Sequence, residues 1–232
     1  MRRKAKTYTL AVVSVLLFIL MIPPPANAGQ LCEILPMPCT FESPAFKFTV
    51  VDAETQRPLA DVHALVEWQV HGPGGRLNGP LIVMDALSQS DGVLAFPAWG
   101  PIEGPADGIG IGRDPIITVF KPGYKALLIY NGDPSGTKET QRVRRFYRDG
   151  GTFALEPFRG TPEAWVKELD QVYAGIATPR SDEQSLQFRG PYLNRIRRVW
   201  AEREKMPERL RGERGFFWFV EGWMRLLEGK QR

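Results

Sequence analysis

Two stretches decide the fold: Phe46-Lys47-Phe48-Thr49-Val50-Val51-Asp52 and Val62-His63-Ala64-Leu65-Val66-Glu67-Trp68-Gln69-Val70-His71. In the first, Phe46, Phe48 and Val50 point one way, and Lys47, Thr49 and Val51 the other. In the second, Val62, Ala64, Val66, Trp68 and Val70 share one face, and His63, Leu65, Glu67, Gln69 and His71 the other. A period of two is the pattern of a strand that buries one side. Between them, Asp52 to Pro58 supplies turn chemistry, with Pro58 fixing the backbone.

Working outward, further strands are expected over Leu81–Ala86, Val93–Phe96, Ile116–Phe120, Tyr124–Tyr130 and Thr152–Leu155. Ser90-Asp91-Gly92, Lys121-Pro122-Gly123 and Gly150-Gly151 mark turns before three of them. Glycine- and proline-rich loops are expected at 71–80 and 97–115. Short strands between turn signals, without a helical period, predict a mainly β fold: a two-sheet, Ig-like antiparallel β-sandwich over residues 44–158.

After Pro157 the pattern becomes helical. Thr161-Pro162-Glu163 is a helix start, with Thr161 as N-cap and Pro162 at the first position. Trp165, Leu169, Val172, Tyr173 and Ile176 form its stripe. A second helix is expected over 183–205, broken near Gly190-Pro191, and a third over 213–228 with Phe216, Phe219, Val220, Trp223, Leu226 and Leu227 as its apolar face. Residues 29–158 hold 11 Lys/Arg and 15 Asp/Glu, while 159–232 hold 15 and 11. Opposed charge of this kind predicts a basic helical cap docked on an acidic β-core. Phe217 and Trp218 lie off the main stripe of the third helix. With Arg195 and Arg198 they are the candidate interaction surface, toward a protein partner or a membrane.

Several of these residues together carry a resemblance. Phe48-Thr49-Val50-Val51-Asp52, Thr55, Pro58-Leu59 and Asp61-Val62 resemble the opening of a carboxypeptidase regulatory-like domain. Ser88–Phe96, with Asp91 and Gly92, and Lys121-Pro122-Gly123-Tyr124 resemble that family's later turns, in the same order. The resemblance implies a transthyretin-like β-sandwich serving as a folding or interaction module, without catalytic residues of its own. Asp61 departs from the pattern, which usually has glycine there.

The N-terminus reads as an export signal. Arg2, Arg3, Lys4 and Lys6 precede an apolar run from about Tyr8 to Ile22. Fifteen residues span roughly 22 Å as a helix, short of a bilayer core of about 30 Å. Pro23, Pro24 and Pro25 end the run, and Ala26-Asn27-Ala28 places small residues where a signal peptidase reads, so cleavage is expected before Gly29. An uncleaved anchor is the alternative. In an oxidising compartment Cys32 and Cys39 are expected to pair, closing a short loop over the lead-in 29–43 and adding roughly 2.5 kcal/mol. Redox or metal use is the competing reading of that pair.

Net charge is +4, but residues 1–28 hold four cations and no acid, so the remainder is neutral. A nucleic-acid binder is not supported. His63, Glu67 and His71 share a strand face and are expected to be solvated. Four strand residues span roughly 13 Å, too far for one metal ion. No cofactor is expected. Asp91 could meet calcium with Asp85 or Asp52, but capping its own turn is the simpler use. The expected function is an exported, non-enzymatic binding or scaffold protein of a Gram-negative-type cell envelope, meeting an envelope protein or glycan. The alternatives are a periplasmic hydrolase using carboxylates such as Glu67, Asp85 or Asp107, and a peripheral membrane protein held by the C-terminal aromatic helix.

Overall fold

The computed structural model describes residues 40–71, 77–104, 115–132, 143–174, 182–212 and 214–229. The strands are β1 (Thr40–Ser43), β2 (Phe46–Asp52), β3 (His63–His71), β4 (Leu77–Leu87), β5 (Val93–Phe96), β6 (Trp99–Glu103), β7 (Ile116–Phe120), β8 (Leu127–Tyr130) and β9 (Thr152–Leu155). The helices are α1 (Pro162–Ala174), α2 (Asp182–Gln187), α3 (Arg189–Ala201), α4 (Glu208–Arg211) and α5 (Phe216–Leu227), with a 3₁₀ turn at Glu202–Lys205.

The strands form three sheets, in the orders β5-β2-β9, β4-β3-β7-β8 and β1-β6. The alternation of β2 buries Phe46, Phe48 and Val50 and exposes Lys47. Phe46 stands opposite Phe96 and Phe48 opposite Leu94 across the antiparallel β2–β5 pair. The two larger sheets meet through aromatic rings: Phe46, stacked on Phe96 of its own sheet at 5.0 Å, touches Trp68 of the other edge-on at 6.2 Å. Val50, Val62, Ala64, Val66, Leu94, Ile117 and Val119 complete this layer with no exposed surface.

Two features correct the sequence expectation. β9 pairs with β2 in parallel, Thr49 opposite Thr152 and Asp52 opposite Leu155, so the arrangement is not wholly antiparallel. The chain returns to β2 only after passing through every other strand, and that long connection permits a parallel approach. The region expected as loop after Ala98 begins with β6, which pairs with β1. The glycines and prolines there suit a two-stranded ribbon, where an unpaired N–H position tolerates proline.

The helical segment covers the second face of the four-stranded sheet. Leu65, Val83 and Phe120 of the sheet join Trp165, Leu169, Val172, Tyr192, Ile196, Val199, Phe217, Val220 and Leu227 in one apolar cluster. The β3 face expected to be solvated is therefore buried: His63 is 2% exposed and Glu67 1%. Thr161 caps α1 through the Ala164 N–H. Glu168 of α1 accepts the backbone N–H of Ala126 at 2.7 Å, tying the helix to the start of β8. The break expected at Gly190-Pro191 falls instead at Phe188, and Pro191 sits in the first turn of α3, where a missing N–H costs nothing. Opposed charge contributes little to docking: exposed ion pairs are worth about 0–1 kcal/mol each. Among the described residues only Arg159 and Arg198 form such pairs with the β-core, at Glu54 and Asp61, while other arginines pair inside the helical segment. Arg197 meets Glu228, Arg203 meets Glu204 and Arg209 meets Glu163. Burial of side chains worth about 1.5–3 kcal/mol each holds the layer instead.

Replacing Leu169, fully buried between helix and sheet, by alanine is expected to lower unfolding free energy by about 2–5 kcal/mol. Leu186→Ala, at a site more than half exposed, is expected to change it by less than about 0.5 kcal/mol. Urea denaturation of the two variants checks both values. Equal effects would mean that the helices are not docked.

Candidate functional site

The residues that carry the sequence resemblance converge at one end of the two larger sheets. Asp52 Oδ1 accepts the backbone N–H groups of Glu54 at 2.9 Å and Thr55 at 2.8 Å, and the Thr55 hydroxyl at 3.1 Å. Its Oδ2 accepts the Tyr124 hydroxyl at 2.9 Å. These hydrogen bonds, led by that from the Thr55 backbone, hold the Asp52 carboxyl below the usual carboxylate range. Pro58 bridges to Val51, and the next residue's N–H donates to Val50 O. Gly92 donates to Gln89 O and accepts from Val50 N. Its φ is +70°, and a Cβ there would lie 2.5 Å from Val50 O, so only glycine fits. Asp91 accepts the Val93 N–H, capping its own turn, and Gly123 turns the chain at φ +84° into Tyr124. These polar groups shape turns, and the Tyr124 hydroxyl on Asp52 ties two of the turns together.

Asp61, which replaces the glycine usual at its position, has φ +56°. Aspartate tolerates this left-handed region better than most residues. Its carboxylate accepts Arg198 Nη1 of α3 at 3.0 Å. The side chain that departs from the pattern is thus a point where the helical layer attaches.

A buried polar seam lies between β3, β4, β7 and α3. Arg195 Nε donates to His63 Nδ1 at 2.9 Å, and Nη2 donates to Thr118 O at 2.5 Å and His63 O at 3.2 Å. Because Nδ1 accepts, the proton of neutral His63 is on Nε2, which donates to Asp85 Oδ2 at 2.9 Å. Asn194 donates to the same oxygen at 2.9 Å. Desolvation, then the Arg195 charge, lowers the His63 pKa from 6.5 to about 4, and the Asp85 contact does not offset them. Burial pulls the Asp85 carboxyl up, but hydrogen bonds from His63 and Asn194 outweigh it and leave it below the usual value. Further along, Tyr192 donates to Glu67 Oε1 at 3.2 Å. Burial, then the Glu67 charge, pushes this phenol far above its ordinary range. Trp165 Nε1 donates to Glu202 at 3.1 Å.

The structure thus redistributes the candidate residues. Arg195 is not a surface group: it is fully buried. It shares the helical stripe of Tyr192, Ile196 and Val199, and that spacing was the available signal. Arg198 is spoken for by Asp61. Phe217 is buried at 1%, while Trp218 and Phe219 are 51% and 54% exposed. The inward face of α5 is set by Phe217, Val220 and Leu227 with Phe216, Trp223 and Met224 packed beside them, so the expected stripe holds at Phe216, Val220, Trp223 and Leu227 and fails at Phe219 and Leu226. Asn194, Thr118 and Phe219 were not anticipated. Glu67 and Asp85 share the helix-covered face of adjacent strands, with Leu65 opposite Asp85 between them. Ala26, Ala28, Gly29, Cys32, Cys39, Asp107 and the side chain of His71 lie outside the described residues. Among the described residues, no three His, Cys, Asp or Glu side chains gather to hold a metal, and no helix is long and apolar enough to cross a membrane.

No protein-family model matches the chain, and no curated protein matches it. Among solved structures it is similar to a group B streptococcus pilus 2b backbone protein, at 10% identity over 50% of this chain and 41% of that one, with a TM-score of 0.25. It is also similar to a 9R-lipoxygenase from Cyanothece, at 14% identity over 70% of this chain and 24% of that one, with a TM-score of 0.31. The chain spans less than half the length of either.

His63 binds a proton more readily in the unfolded chain than in the native one, so stability is expected to fall as pH drops from 6.5 toward 4. The contribution of this group, about 3 kcal/mol, is present in full above pH 6.5 and is lost by about pH 4. Denaturant unfolding across that window should show a steep slope, and His63→Gln should flatten it. An unchanged slope would remove His63 as its source. Gly92→Ala is expected to cost about 2–4 kcal/mol from left-handed strain and overpacking, read by the same unfolding measurement.

Proposed function

We propose that this chain is an exported, non-enzymatic binding or scaffold module of the bacterial cell envelope. Its three- and four-stranded sheets are read as a transthyretin-like β-sandwich of the carboxypeptidase regulatory-like kind, and residues 159–232 as a helical layer added to it. The observation that carries this reading is the division of labour among side chains. The polar groups best suited to chemistry, His63, Glu67, Asp85 and Arg195, are consumed in joining helix to sheet, whereas Trp218 and Phe219 stand in solvent on a helix locked by that joint. Aromatic residues held on a rigid element suit recognition by contact. The turn bracket around Asp52 and Gly92 supports the sandwich assignment, because it uses the resembling residues as turn formers and nothing else. The basic, apolar leader of residues 1–28 supports export, and pairing of Cys32 with Cys39 belongs to the same reading.

The test has two arms. A fusion of the complete chain to a phosphatase active only outside the cytoplasm should be active, and the processed product should begin at Gly29. A photo-reactive amino acid at position 218 or 219 in cells should give an adduct with an envelope component that is absent when it replaces Glu208, which is also exposed. An inactive fusion, or adducts that do not distinguish 218 and 219 from 208, would overturn the proposal.

A further inference from the structure

Helix α5 is apolar almost all the way round. Within Phe216–Leu227 its charged side chains are Glu221 and Arg225, which pair with each other four residues apart. A helix of that composition is normally buried on every side, yet α5 is covered by protein on one side alone. Phe217, Val220 and Leu227 face the core; Trp218, Gly222 and Leu226, at four-residue steps, face outward with Phe219 beside them. We propose that this outward face of α5 rests on an anionic lipid surface, with Trp218, Phe219 and Leu226 entering the interfacial layer. The inference rests on the module reading for its compartment and names what the module touches.

Area and charge choose this occupant. Trp218, Phe219 and Leu226 are 51%, 54% and 36% exposed, roughly 250 Å² of apolar side chain in all. A standard protein interface needs about 800 Å² from each partner, so the patch is too small to hold a second copy or another folded protein by itself. An interfacial helix needs a narrow apolar strip and flanking cations. Residues 211–232 hold five Lys/Arg and three Asp/Glu. Arg214 is exposed just before the helix begins. Lys230 and Arg232 follow in the sequence. A second copy would set this cation excess against itself, whereas an anionic headgroup layer complements it. Tryptophan at the edge of the strip suits the headgroup level, where an amphipathic ring is most stable. Gly222, at the centre of the strip, lets the backbone approach the surface closely.

The experiment is vesicle flotation of the chain without residues 1–28, so that the apolar leader cannot anchor it. The compact unit carrying α5 begins at Pro38 and retains its own core. Phosphatidylglycerol-containing vesicles should carry the protein upward, pure phosphatidylcholine vesicles about tenfold less, and added salt should release it. Trp218→Ser with Phe219→Ser should reduce flotation about tenfold without changing the melting temperature, since both side chains are exposed, and Phe219→Trp should retain it. Three results would overturn the inference: no flotation, equal flotation of the double variant, or equal flotation on neutral vesicles. A dimer that the double variant dissolves, with no flotation, would assign the face to a second copy instead. Failure here is separable from failure of the module reading. A protein adduct at position 218 without flotation overturns the lipid assignment alone, whereas an inactive phosphatase fusion overturns the module reading and leaves the lipid affinity measurable.

Discussion

The four-stranded sheet has no solvent face in its centre, and the rest of the structure follows from that constraint. One side of β3 meets the aromatic layer of β2 through Trp68; the other meets the helices through Leu65. On a strand buried on both sides an ionisable side chain has to be met from within the protein, because leaving it unpaired costs several kcal/mol, although the indole N–H of Trp68 on the same strand is buried without a hydrogen-bond partner. β3 carries His63 and Glu67. Helix α3 supplies the answer to each, Arg195 and Asn194 at one end and Tyr192 further along. The polar seam thus fixes where α3 sits, while the apolar cluster supplies the attraction. Burial alone would allow the helix to slide by a turn; the fork of Arg195, held on His63 and on the Thr118 carbonyl, would not.

The same constraint explains which parts were legible from the sequence. The strands over 46–52, 93–96, 116–120 and 152–155 were readable because alternation and turn residues agree there. The bracket residues were readable because glycine at φ +70° and an aspartate hydrogen-bonding its own turn leave local marks. The second face of β3 was misread for a physical reason. Alternating polar and apolar residues mean water only if nothing covers that side, and the covering helices begin only at Pro162, far downstream of His71. Arg195 was misread with it: an arginine signals surface until its partners are known. In α5 the failure was of another kind. When nearly every position is apolar, periodicity cannot choose the inward face, and Phe217 and Phe219 exchange roles. The short pair β1–β6 left no clear pattern, since its strands are only four and five residues long and Gly100-Pro101 interrupts the second.

Asp61 shows how one turn of the β-core also serves to attach the helical layer. Glycine suits that position for its backbone; aspartate accepts the same left-handed conformation at modest strain and adds a carboxylate. That carboxylate meets Arg198, one helical turn on from the Asn194 and Arg195 pair that engages Asp85 and His63. The helix is therefore pinned at its outer edge by an exposed ion pair and in its interior by the buried hydrogen bonds of Arg195. The exposed pair contributes little energy by itself. Its value is angular, because two fixed points along α3 set the direction of the helix across the strands.

Direction matters because α5 packs on α3. Its Phe217 ring lies against Trp200 at 6.2 Å, and Trp223 against Tyr192 at 6.3 Å. The Tyr192 that engages Glu67 in the sheet thus also seats α5 from the other side, and a single residue links the buried seam to the outermost helix. With its inward rings fixed in this way, α5 cannot rotate to hide Trp218 and Phe219 without expelling Phe217 and Val220. The exposed aromatic strip is therefore a consequence of how the layers lock, and the solvation penalty of leaving it bare persists for as long as the fold does.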